Sequence, residues 1–227
     1  MAKATCDLRS CFLCTHSSPE WRELTGLKKS TKPFKKGASI FEEGGAVEGI
    51  YFLYEGSAKI HMKWGDEKEL ILRFAKRGDI LGYRGLGKKH IYPVSATALE
   101  NCSACFISND FLEATLKSSP VFALALLEIY EDELQKAERR MRDLVHMDVK
   151  GRVALALTEI AEIFGTNSEQ FINIPILRQD IASYAGTTYE TVFKLLTDFS
   201  AKKMISTSGK QIRIDKPVEM KELITNY

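Results

Sequence analysis

Residues 177–205, LRQDIASYAGTTYETVFKLLTDFSAKKMI, read as two short helices about a tight turn. Ile181, Ala182 and Ala185 recur at the spacing of one helical face, and Val192, Leu195, Leu196 and Phe199 do so again after the turn. Gly186 stands where the chain must reverse, followed by Thr187 and Thr188. The outer face of the second helix offers Tyr189, Glu190, Phe193 and Lys194 near its N-terminal end. That is the end such a helix presents to base edges in the major groove. Periodicity alone fits an ordinary helical hairpin in a core equally well. The next segment separates the two readings. Residues 205–214, ISTSGKQIRI, alternate apolar and polar side chains around Gly209-Lys210, which is a β-hairpin signal. A hairpin directly after a helix-turn-helix is a wing.

The rest of the chain is consistent with a DNA-binding protein without demanding one. At 227 residues there is room for two domains, each with its own core. A composition of 44% hydrophobic and 27% charged residues is that of an ordinary soluble protein. No apolar run approaches the roughly 18–20 residues of a membrane span, and MAKATCDLRS lacks the apolar centre of a secretory signal. A cytoplasmic protein without a membrane partner is the expectation. Net charge is only +2, and residues 147–227 carry ten Lys or Arg against ten Asp or Glu. Long-range steering to a polyanion is therefore weak. The cations do cluster locally: Arg178, Lys194, Lys202, Lys203, Lys210 and Arg213 lie in or beside the helix-turn-helix and wing.

Upstream, residues 20–27 suit a short helix. From residue 32 to residue 106 the pattern is short strand-like runs punctuated by Gly37, Gly44, Gly45, Gly56, Gly65, Gly78, Gly82 and Gly85. These fit an antiparallel barrel or sandwich whose turns need positive φ. Residues 110–146 then read as helix: Leu112 and Leu116 open an apolar stripe that Leu127, Tyr130, Leu134, Ala137, Met141 and Leu144 continue. Glu131, Asp132, Glu133, Lys136, Glu138, Arg139, Arg140 and Arg142 flank that seam. A helix from Pro120 to His146 is about 40 Å long, more than one small β-domain covers, so part of the stripe is expected to pack on a second copy. A further amphipathic helix over 149–164, a strand over 171–174, then the helix-turn-helix and wing complete the chain.

The order of parts, with LYEGSAKI (53–60), RGDILG (77–82), ALENCSACFIS (98–108) and RQDIASYAGTTYETVFKLL (178–196), resembles the CRP/FNR family of bacterial transcription regulators. The resemblance runs from about residue 30 to 215. It implies an α+β fold with an N-terminal antiparallel β-roll of the cyclic-nucleotide-binding type, a long dimerisation helix and a C-terminal winged helix-turn-helix. The corresponding boundaries are a cysteine-containing leader (1–19), the sensor roll (20–115), the dimerisation helix (116–146) and the DNA-binding domain (147–227). Implied partners are a second copy, a near-palindromic double-stranded operator and RNA polymerase.

Two sensing chemistries follow from the resemblance. Cyclic AMP binders carry Gly-Glu after the RGD-like turn and Arg-Ser about ten residues later. Here Gly82 precedes Tyr83, and Tyr92-Pro93 stand at the second pair. A buried phosphate needs a fixed cation or several donors, so cyclic AMP is not the expected ligand. Arg84 is the nearest cation, and strand alternation would turn it from the face of Tyr83. Gly82, Tyr83, Arg84 and Tyr92 remain the candidate effector pocket. The second chemistry is the oxygen-labile iron–sulfur cluster of fumarate–nitrate-type regulators, which places Cys105 at the mid-chain ligand. That family's N-terminal pattern has a cysteine after its C-x2-C pair. This chain has Cys11 and Cys14 as the pair, with Cys6 before it instead. The resulting C-x4-C-x2-C with a distant fourth cysteine is also a ferredoxin spacing. Cys6, Cys11, Cys14 and Cys105 are thus the candidate ligands; Cys102, three residues from Cys105 on one strand, should face the other way. Zinc suits four thiolates equally, and small buried hydrophobes or idle leader thiols are the metal-free reading. In that last case another effector is sensed, or none.

On the DNA side the resemblance gives Glu190 the glutamate that accepts from cytosine N4, and Lys194 the position of an arginine that contacts guanine. Phe193 replaces a small residue and reaches for a thymine methyl; Tyr189 replaces an arginine or valine. Arg178, Gln179, Thr187 and Thr188 match backbone-contacting positions. Glu190 and Lys194, at i and i+4, also suit a simple surface pair. The rival class is a redox or zinc protein whose thiols are the primary chemistry. An enzyme has little support: His16, His61, His90 and His146 have no ligand spacing, and GxSxG, P-loop and paired-carboxylate motifs are missing from the sequence.

Overall fold

The computed structural model describes residues 11–65 and 68–225. They fall into two compact units, the first from within 11–62 and 72–133, the second from within 63–71 and 134–225.

The N-terminal unit opens with α1 (Phe12–Thr15) and α2 (Pro19–Lys28). The strands of the roll are β1 (Ser30–Phe34), β2 (Ser39–Phe41), β3 (Gly49–Glu55), β4 (Ala58–Trp64), β5 (Lys68–Ala75), β6 (Ile80–Leu81), β7 (Ser95–Ala98) and β8 (Cys102–Ser108). They form two four-stranded sheets, β1-β8-β3-β6 and β2-β7-β4-β5. Alternation along two strands builds two cores. Tyr51 and Leu53 of β3, with Cys102 and Ala104 of β8, join Phe41, Ile60, Leu81 and Tyr92 in one cluster. Ile50 and Phe52, with Cys105 and Ile107, join Cys11, Leu13, Cys14, Phe111, Leu112, Phe122 and Leu126 in the other. The β3–β8 pair is therefore buried on both faces, which is why β3 reads as the unbroken apolar run Ile50-Tyr51-Phe52-Leu53 rather than an alternating one. The glycine expectation needs correction at two positions, Gly45 and Gly85. Gly82 has φ +85°, as a tight turn requires, but Gly45 and Gly85 are not in the left-handed region. Gly85 is small for another reason: a Cβ there would lie 2.5 Å from Val47 Cγ2.

The helical region expected over 110–146 is two helices, α3 (Asn109–Ser118) and α4 (Pro120–His146), the second with the bounds expected for the long helix. Ser119 between them is extended (φ −129°, ψ 91°), the conformation that a following proline imposes. Its hydroxyl accepts from the Phe122 N–H at 3.2 Å and so caps the new helix. Along α4 the early residues Phe122, Ala125 and Leu126 are buried, Phe122 and Leu126 in the outer core of the roll. Val121, Leu124, Leu127, Leu134, Met141 and Val145 are exposed.

The C-terminal unit contains α5 (Val149–Phe164), α6 (Arg178–Ala185), α7 (Tyr189–Ala201), β9 (Ile205–Ser208), β10 (Gln211–Ile214) and α8 (Pro217–Thr225). Asp148 starts α5 by accepting from Gly151 N–H at 2.7 Å, as an N-cap does. The strand expected over 171–174 is instead two isolated bridges, Phe171 with Arg213 and Ile172 with Thr166. No ladder builds because successive N–H groups go to different segments, Ile172 to Ile212 O at 2.8 Å and Asn173 to Gly165 O at 3.0 Å. α8 was not anticipated from sequence; it buries Met220 completely.

Candidate nucleic-acid interface and sensor site

The turn between α6 and α7 is built by backbone chemistry. Gly186 is left-handed (φ 64°, ψ 47°) and its N–H closes α6 on Ala182 O, to which Thr187 N–H also donates at 3.0 Å. Thr188 is extended, and its hydroxyl accepts from Thr191 N–H at 3.3 Å to start α7. Ile181, Ala182, Ala185, Val192, Leu196 and Phe199 are buried as expected, with Leu195 half-buried. The opposite face of α7 remains open, with Tyr189 42% and Phe193 49% exposed, and Glu190 and Lys194 beside them exposed.

Glu190 does not pair with Lys194. Its carboxyl is held below the usual range first by its own backbone N–H at the helix start and then by the Thr188 hydroxyl, with Lys194 a lesser influence. The aromatic pair Tyr189 and Phe193 stacks at 6.5 Å and 24°. Across the turn, the Arg178 guanidinium sits 5.7 Å from the Phe193 ring centroid. Of the clustered cations, Lys202 is committed to Asp198 at 2.8 Å and Arg213 to Asp215 at 2.6 Å. Arg178, Lys194, Lys203 and Lys210 have no carboxylate at ion-pair distance among the described residues. Lys210 follows Gly209 (φ +60°) at the tip of the hairpin, where β9 and β10 pair antiparallel.

Sequence reading did not find what supports α6 from behind. Arg140, one of the residues flanking the apolar seam, hydrogen-bonds Tyr184 O at 2.5 Å, with its guanidinium 4.3 Å from that ring's centroid. Arg152 donates to Ala185 O at 3.0 Å and to Met147 O at 2.7 Å. Two guanidinium groups thus satisfy carbonyls at the negative end of α6. Nothing in the spacing of Arg140 or Arg152 signals this, since the α6 carbonyls they meet lie more than thirty residues away.

In the roll, Gly82, Tyr83, Arg84 and Tyr92 do come together, along with Phe41, Ile60, Arg73, Pro93 and Val94. The space left among them is about 10 Å³, no more than one water molecule needs. Tyr92 fills it, stacked on Phe41 at 4.2 Å with its hydroxyl donating to Gly49 O at 2.7 Å. Burial raises the Tyr92 phenol above its ordinary range. The expectation for Arg84 is corrected twice. Residues Tyr83–Gly85 form a 3-10 turn, so strand alternation does not apply. The Arg84 guanidinium is neutralised by Glu133 of α4 at 2.5 Å, and Glu133 also lies 3.6 Å from Arg73. Tyr130 OH donates to Tyr83 O at 2.5 Å and its ring meets that of Tyr83 edge-on at 5.3 Å. The 3-10 turn is tied to α4 and holds no spare cation for a phosphate.

Cys11, Cys14 and Cys105 share the outer core of the roll, while Cys102 packs between the sheets. Opposite facing of Cys102 and Cys105 follows directly from the strand period. The leader thiols are not idle at the surface: Cys11 and Cys14 are both buried. The Cys11 thiol is pulled down to about 6, chiefly by its hydrogen bond with the Cys14 side chain. Burial pushes Cys102 the other way, up to about 11. Cys6 lies outside the described residues, and among those described no three His, Cys, Asp or Glu side chains converge as a metal site.

A winged helix-turn-helix with an open, cation-flanked α7, following a closed antiparallel roll, defines a DNA-binding protein with a cyclic-nucleotide-binding-type domain. The pattern of the cyclic nucleotide-binding domain matches residues 31–119, and that of the Crp-like helix-turn-helix domain matches residues 151–223. The chain is 28% identical over 195 residues to the CRP-like cAMP-activated global transcriptional regulator of Mycobacterium tuberculosis, covering 84% of this chain and 87% of that one. It is 26% identical over 216 residues to the fumarate and nitrate reduction regulatory protein of Vibrio cholerae, covering 94% and 86%. Among solved structures, FixK2 from Bradyrhizobium japonicum superposes with a TM-score of 0.76 at 24% identity, covering 86% of this chain and 96% of that one. The chain belongs to the CRP/FNR family of DNA-binding transcription regulators. Its relatives are named as regulators rather than enzymes. Among the described residues no helix is long and apolar enough to cross a membrane.

Proposed function

We propose that the chain works as a homodimer on a near-palindromic operator, and that its signal enters through thiols held as an iron–sulfur cluster by Cys6, Cys11, Cys14 and Cys105. The observation that carries this reading is that Cys11 and Cys14, hydrogen-bonded to each other, are buried in the same core of the roll as Cys105, with Cys11 already acidified. Thiolates in a dry core are the donors such a cluster requires; Cys11, Cys14 and Cys105 would have to draw together around it, and Cys6 lies outside the described residues. When bound, the cluster supplies one-electron redox chemistry. The chain's own part is to tie α1 to β8 across that core. The small-molecule alternative is disfavoured by the roll pocket itself, which Tyr92 and Phe41 fill. The exposed stripe Leu127, Leu134 and Met141 supports a second copy on α4. Bases are read by Glu190, Lys194, Phe193 and Tyr189, and the phosphate backbone is met by Arg178, Gln179, Thr187 and Thr188. Thr188 does this through its backbone, because its hydroxyl is the α7 cap. RNA polymerase is the further partner that control of transcription requires.

Anaerobic purification followed by visible spectroscopy and iron and sulfide analysis tests the cluster. A brown protein with iron and sulfide, lost in Cys14→Ser and Cys105→Ser but kept in Cys102→Ser, is expected. A colourless protein with zinc establishes the zinc reading instead, and one with no metal removes both.

A further inference from the structure

Two aromatic side chains lie open on the reading face of α7, and this chain's contacts give them a definite task. Phe193 is 49% and Tyr189 42% exposed, stacked together. Water gains nothing from such a pair, and the apolar side of α7 already buries Val192, Leu196 and Phe199. The guanidinium of Arg178 occupies the neighbourhood of the Phe193 ring at 5.7 Å. Arg178 and Lys194 flank the pair without carboxylate partners among the described residues, so the surroundings suit a polyanion. An apolar surface between unpaired cations on a DNA-reading helix meets one apolar group in the major groove, the C5-methyl of a pyrimidine.

We propose that Tyr189 and Phe193 together form a methyl-reading element. On this reading the affinity of the regulator depends on a pyrimidine 5-methyl group in each half-site, whether carried by thymine or by 5-methylcytosine. Arg178 is a positioning residue here: its stacking holds the Phe193 ring beside Tyr189 while its charge faces the backbone phosphates. The inference rests on the operator-binding reading above and adds the chemical group that is recognised.

The test starts from an operator selected out of random duplexes, with affinity followed by fluorescence anisotropy at fixed salt. Each thymine of the half-sites is replaced in turn by uracil, which removes only the methyl group. At one or two positions per half-site the replacement is expected to weaken binding about fourfold, the worth of one buried methyl group. At the same positions 5-methylcytosine should outperform cytosine. Phe193→Ser should bind thymine and uracil duplexes alike, whereas Phe193→Leu keeps the distinction. Indifference of the native protein to uracil at every position overturns the proposal and leaves operator binding standing. So does a Phe193→Ser loss that is equal for thymine and uracil duplexes, because Phe193 then serves only as a perch for Arg178. Failure to select any operator overturns the operator reading itself, and this inference with it.

Discussion

Both units set aromatic rings beside an arginine, and they use the combination in opposite ways. In the roll, Tyr92 and Phe41 stack at 4.2 Å inside a closed core, and Arg84 is cancelled by Glu133. On α7, Tyr189 and Phe193 stack at 6.5 Å in the open, and Arg178 keeps its charge free of carboxylates among the described residues. The first arrangement removes a ligand site by filling it; the second leaves one available. What differs is the partner: a carboxylate on α4 in one case, an uncovered helix face in the other. Occupied pockets and neutralised cations are scaffolding, whereas exposed rings and unpaired cations are available for recognition.

The largest effect expected from breaking this contrast is in the roll. Tyr92→Ala should lower unfolding free energy by about 3–5 kcal/mol, measured by urea denaturation. Tyr92→Phe should cost about 1–2 kcal/mol, because only the bond to Gly49 O is lost. Equal stability of the Ala variant and the native chain would mean that the ring does not fill the pocket.

Next comes acidity at the thiols. Folding lowers Cys11 from an ordinary value of 9.0 to about 6. A depressed value stabilises the fold fully above the unfolded value, and that stabilisation disappears as pH falls through the folded one. In metal-free protein the denaturation midpoint should therefore rise from pH 6 to pH 9, by an amount corresponding to a few kcal/mol. Cys11→Ser should flatten the curve. A native profile that is already flat over this range contradicts an acidified Cys11.

On the open face, Lys194→Ala should weaken operator binding by about 1–3 kcal/mol and relax the preferred base at one position. Lys202→Ala, whose charge already serves Asp198, should change affinity little. Binding-site selection with each variant checks both, and similar losses would erase the distinction between free and committed cations. Smallest of all is the response to cyclic AMP. A ligand at a hundredfold excess over its Kd stabilises a fold by about 2.7 kcal/mol, so a pocket without room should show no thermal shift with millimolar nucleotide. Any saturable shift would reopen the roll as a nucleotide site.

Much of this architecture was readable one residue at a time. Helical and strand periods placed the faces of α6 and α7, the α5 helix and the opposed orientations of Cys102 and Cys105, because each depends on contacts within a few positions. Local chemistry likewise anticipated Gly186 in the turn and the hairpin around Gly209. Other features depend on residues far apart in the chain. The break at Ser119 needed the pull of Pro120 to be weighed against an unbroken apolar stripe. The strand at 171–174 shrank to bridges because its N–H groups divide between two distant segments, at Ile212 and Gly165. Gly82, Tyr83, Arg84 and Tyr92 do line one small space, but local sequence did not give its state. Whether Arg84 is free depends on Glu133, forty-nine residues on, and whether the space is open depends on Tyr92 meeting Phe41. Local sequence therefore carried element type and facing, which short-range sterics and hydrophobic period dictate. Only the folded chain decided which charges are cancelled, which rings are covered and which thiols share a core, since those are pairings between segments that no local pattern encodes.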